Sequence, residues 1–144
     1  MQRVEPEIWT NYVDTGAVQY IYWPVFSYGE ASLNSYKVME CAGQQDLQLA
    51  WAAHKVLYEN TSSLMRVNPE LYVAIAEQIG LDMNIYSACF DDPATAEVAL
   101  ALDRTAKEKG VSGHPIFEFV GVGFLIGSQP YSVFEDAFES VMNQ

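Results

Sequence analysis

The stretch GVSGHPIFEF, residues 110–119, stands where the chain changes periodicity. A helix ending near Lys109 precedes it, and a strand over 116–120 follows. Pro115 falls at the mouth of that strand, where it removes a ladder hydrogen bond. His114, one of only two histidines in the chain, stands just before it. A turn of this kind is a frequent seat of a cis X-Pro bond. The sequence contains only two cysteines, Cys41 and Cys89, and has no C-x-x-C.

Outward from the turn, composition bounds what the chain can be. Its 144 residues are 50% hydrophobic, which fits one globular domain with a sizeable core. Nineteen acidic residues oppose seven basic ones, for a formal net charge of -12. That balance excludes nucleic acid and anionic membrane as partners, because phosphate binding needs clustered Lys and Arg. The acidic excess reads as a solvated surface that keeps the protein soluble. The N-terminal MQRVEPEIW has no apolar signal-peptide core, and no apolar run approaches the ~18 residues a membrane helix needs. The sequence as given is therefore expected in the cytoplasm, and outside it if an N-terminal segment is missing. No Gly-rich phosphate loop, Ser-His-Asp order, paired carboxylates or metal-ligand spacing stands out, and no cofactor or metal is expected.

The periodicity gives an order of helix, strand, five helices, hairpin, helix. Residues 3–14 predict an amphipathic helix carrying Pro6 and stopped near Gly16. The β-branched and aromatic AVQYIYWPV predicts a strand over 17–23. Helices follow over 30–43 and 46–59, the second with Leu47, Ala50, Trp51, His54, Leu57 and Tyr58 on its apolar face. His54 there reads as a packed core histidine. Pro69 opens another helix that stops at Gly80, LDMNIYSACF forms a short one, and Asp92-Pro93 opens a long one. After the hairpin, Ser128 is expected to cap a last helix with Pro130 in its first turn.

Several passages, in order, carry a family likeness over nearly the whole chain. EPEIWTNYVDTGAVQYIY is similar to the end of an active-site helix and its following strand. ECAGQQ, WAAHKVLYEN and IGLDMNIYSACFDD are similar to a helical insertion, KGVSGHPIFEF to a cis-proline turn, and GSQPYSVFEDAF to a final helix. Together they resemble the DsbA-like branch of the thioredoxin fold. The resemblance implies an α/β class: a single domain, 1–144, with a helical insertion at about 30–109. It also implies an N-terminal truncation, with the central strand and the C-x-x-C absent. Strands 17–23 and 116–120 would flank that strand, so the sheet is expected to be completed by another copy or to pair abnormally.

The activity so implied is dithiol–disulfide oxidoreduction on protein substrates, inactive in the chain as given. Exchange needs an exposed, low-pKa thiolate, usually at a helix N-terminus. Cys41 falls late in its helix and Cys89 near the end of a short one, so neither meets that requirement. They read either as two buried thiols or as a structural disulfide, the latter placing the protein in an oxidising compartment. Gly113, His114 and Pro115 are the candidate substrate-binding residues, offering backbone hydrogen bonds to an extended peptide. A non-catalytic peptide-binding module and a kappa-type, glutathione-dependent isomerase relative are the rival readings.

Overall fold

The computed structural model describes residues 4–65 and 67–143. Arg3, where the first helix was expected to begin, lies outside them. The chain divides into two compact units. One comprises Met1–Tyr22 with Gly110–Gln144, and the other is Trp23–Lys109.

In the first unit, helix α1 (Glu5–Ile8) begins with Pro6 in its first turn, where a missing N–H costs nothing. It runs on as a π-helical turn, Trp9–Val13, closed by Asp14 N–H donating to Trp9 O at 2.9 Å. Gly16, at φ +76°, takes the left-handed conformation that ends the helix. Strands β1 (Ile116–Phe119) and β2 (Gly123–Ile126) pair antiparallel, with Phe117 opposite Leu125. Helix α8 (Tyr131–Met142) closes the unit.

Period-2 alternation turns Phe117, Phe119 and Leu125 to one face of the hairpin. There they pack with Ile8, Tyr12, Phe134 and Phe138. Phe117 meets Phe134 edge-on, with ring centroids 4.7 Å apart, and Tyr12 lies 4.3 Å from Phe138. These aromatic contacts hold the hairpin to α8 and to the first helix.

Two expectations fail in this unit. Residues 17–23 form no strand. Their β-branched composition favours extension, but a ladder needs a partner, and β1 pairs only with β2 among the described residues. Ser128 does not cap α8. The residue before the helix is Pro130, in extended conformation, and no side chain closes that end.

The second unit is a helical bundle: α2 (Glu30–Gly43), α3 (Leu47–Glu59), α4 (Thr61–Leu64), α5 (Pro69–Gln78), α6 (Met83–Asp91) and α7 (Pro93–Glu108). The carboxylates of Asp46, Asp82 and Asp92 accept backbone N–H donors at the starts of α3, α6 and α7. Helix α2 packs against α3, α5, α6 and α7. Fully buried Ala42, Ala53 and Ala76 contribute small side chains to this core around Val38, Tyr72 and Ile75. The buried face of α3 is Ala53, His54, Val56 and Leu57, whereas Leu47 points to solvent and Tyr58 is 40% exposed. This corrects the expected apolar stripe, whose first residue stays outside the core. His54 is buried between the rings of Trp51 and Tyr58.

The aromatic residues near 20–28 serve both units. Tyr20 packs on Trp9 in the first. In the second, the Trp23 indole donates to Leu102 O at 2.9 Å, and Phe26 N–H donates to Asp103 Oδ1 at 2.9 Å. Burial pushes the Asp103 carboxyl up. Hydrogen bonds from Lys107 and Phe26 N–H, with the Lys107 and Arg104 charges, outweigh that and hold it below the ordinary 3.8.

Candidate functional site

Helix α7 ends because Gly110 takes φ +83°. The chain then turns through Gly113, His114 and Pro115 into β1. The His114–Pro115 peptide is cis. Pro115, which has no N–H to give, still contributes its carbonyl, accepting Gly127 N–H at 2.9 Å. That bond fixes the turn to the end of β2.

His114 is exposed, and Gly113 and Pro115 are half-buried. A Cβ built at Gly113 would meet nothing within 4 Å, so the space in front of the turn is open. Because Pro115 and Gly127 are a hydrogen-bonded pair, antiparallel alternation directs Ile116 to the edge of β1 away from β2. On that edge β1 has no ladder partner among the described residues. The outer face of the hairpin is apolar beside the turn, with Phe124 52% and Ile126 67% exposed.

Cys41 and Cys89 belong to the second unit, where a disulfide joins them, tying α2 to α6 with Cα atoms 5.7 Å apart. The sequence places Cys89 near the end of a short helix, yet its sulfur lies beside the first turn of α7. The Thr95 hydroxyl stands 3.7 Å from Cys89 Sγ and donates to Cys89 O at 2.8 Å. Thr95 is a contact that sequence reasoning missed. The only trace of it is the helix break at Asp92-Pro93, which folds residue 95 back over residue 89.

Among the described residues no three His, Cys, Asp or Glu side chains stand together as a metal site. No helix among them is long and apolar enough to cross a membrane.

A protein-family model described as "Thioredoxin" matches residues 1–131. No curated protein and no solved structure gives a significant match.

Proposed function

The chain belongs to the thioredoxin-like family, and from that premise we propose that it is a DsbA-like domain of protein dithiol–disulfide oxidoreductases whose Gly113-His114-Pro115 turn receives an extended protein segment. The observation that carries this reading is that β1 begins directly after an exposed turn and, among the described residues, has a ladder partner on one edge alone. An incoming strand can continue the ladder there through backbone hydrogen bonds, while the apolar side chains of the outer hairpin face take its alternate residues.

These 144 residues contain no C-x-x-C, and both cysteines are bonded to each other. They therefore supply the binding half of the exchange reaction, and a redox pair of the family type is not among them. The Cys41–Cys89 bond fits an oxidising compartment.

Calorimetric titration with a cysteine-free peptide of alternating apolar and polar residues tests the reading. Saturable binding supports it, and a flat titration rejects it. Glutathione binding in place of peptide binding would favour the kappa-type relationship. A mass that rises with protein concentration and falls on peptide addition would show a second copy occupying the same edge.

A further inference from the structure

We infer that Cys41–Cys89 is itself a redox-active pair, with Cys89 the exchanging sulfur and Cys41 the resolving one. This site lies wholly within the helical unit and does not depend on the peptide-binding turn.

Three features of the helical unit separate the two sulfurs. Cys41 is 0% exposed, whereas Cys89 keeps 8%. Cys89 lines an open hollow of about 510 Å³ with Gln44, Asn84, Ile85, Ala88 and Asp92. Of the two cysteines, Cys89 is the one that borders this hollow. Finally, Cys89 Sγ stands beside the N-terminal turn of the 16-residue α7, 3.7 Å from the Thr95 hydroxyl. The helix dipole favours a thiolate there, while the Thr95 hydroxyl gives its proton to Cys89 O at 2.8 Å. Cys41 occupies the last turn of α2, where the dipole disfavours one.

One charge opposes the thiolate. The Asp92 carboxylate lines the same hollow, although it is engaged in accepting Ala94 N–H at 2.8 Å. With the net charge of -12, it favours a neutral or cationic thiol partner over an anionic one.

The step is an exchange with an external dithiol. One of its thiolates attacks Cys89 Sγ, the Cys41–Cys89 bond breaks, and Cys41 leaves as a thiolate that takes a proton in its apolar surroundings. The second thiolate of the partner then attacks its own sulfur in the mixed disulfide and releases Cys89. The partner becomes a disulfide, losing two electrons, and the cysteine pair gains them. In reverse, reduced Cys89 attacks an external disulfide and Cys41 resolves it.

The folded, oxidised protein is treated with dithiothreitol or β-mercaptoethanol, quenched with iodoacetamide and mapped by mass spectrometry. Reduction should be first order in thiol under native conditions. The β-mercaptoethanol adduct should sit on Cys89, and after full reduction Cys89 should alkylate before Cys41. A reduction rate independent of thiol and equal to the unfolding rate would overturn the inference. A first adduct on Cys41, or alkylation of Cys41 before Cys89 in the fully reduced protein, would overturn it as well.

Discussion

Phe134→Ala is the substitution that separates the turn from its support. Phe134 is 1% exposed and meets Phe117 edge-on at 4.7 Å, in a core whose other buried members are Ile8, Tyr12 and Phe138. Truncating a buried Phe to Ala costs about 3–5 kcal/mol in lost transfer energy and cavity formation. The edge-to-face pair contributes ~0.5–1.5 kcal/mol of its own. At roughly 0.05–0.15 kcal/mol per residue, a unit of this size has a few kcal/mol of stability in total. The loss is comparable to that whole, so the hairpin should detach from α8 and the Pro115 turn should lose its fixed position. Native-state hydrogen exchange reads this directly. The Phe117 and Leu125 amides should lose at least ~100-fold protection, with α2 amides such as Val38 as the reference. A loss of less than tenfold would refute the claim that this aromatic cluster carries the hairpin.

Further outcomes follow from the helical unit. Replacing both Cys41 and Cys89 with Ala opens a loop of 48-residue separation and should cost about 4 kcal/mol in urea unfolding. Asp103 has a folded-state pKa below its ordinary 3.8, so its contribution is fully present above that value and is lost as pH falls through the folded one. Asp103→Asn should therefore flatten the acid limb of the stability–pH profile below about pH 4 and cost ~1–2 kcal/mol at pH 7. Asp92→Ala removes the cap of α7 and should lower thermal stability by the equivalent of about 1 kcal/mol.

Local chemistry made most of the helical unit legible. Asp92 announces a helix start and Gly80 a stop, because each satisfies or terminates a backbone ladder within a few residues. The hairpin was legible for the same reason, with Gly121 at φ +81° in its turn. Residues 17–23 misled because a strand depends on a distant partner, and β-branched composition cannot say whether one arrives. Leu47 misled because helical periodicity identifies a stripe but not how far along the helix it is covered. The turn at Gly113–Pro115 was visible because a proline at a strand mouth breaks a ladder rule. The Thr95–Cys89 contact was not, since it depends on how two helices meet across Asp92.

The most direct test of the proposed role is an amide-resolved NMR titration of the 144-residue protein with the cysteine-free, alternating peptide. Saturable shifts centred on Ser112, Gly113, His114 and Ile116, unaffected by reducing Cys41–Cys89, are the predicted result. Shifts confined to the helical unit, or none up to the solubility limit of the peptide, would contradict it.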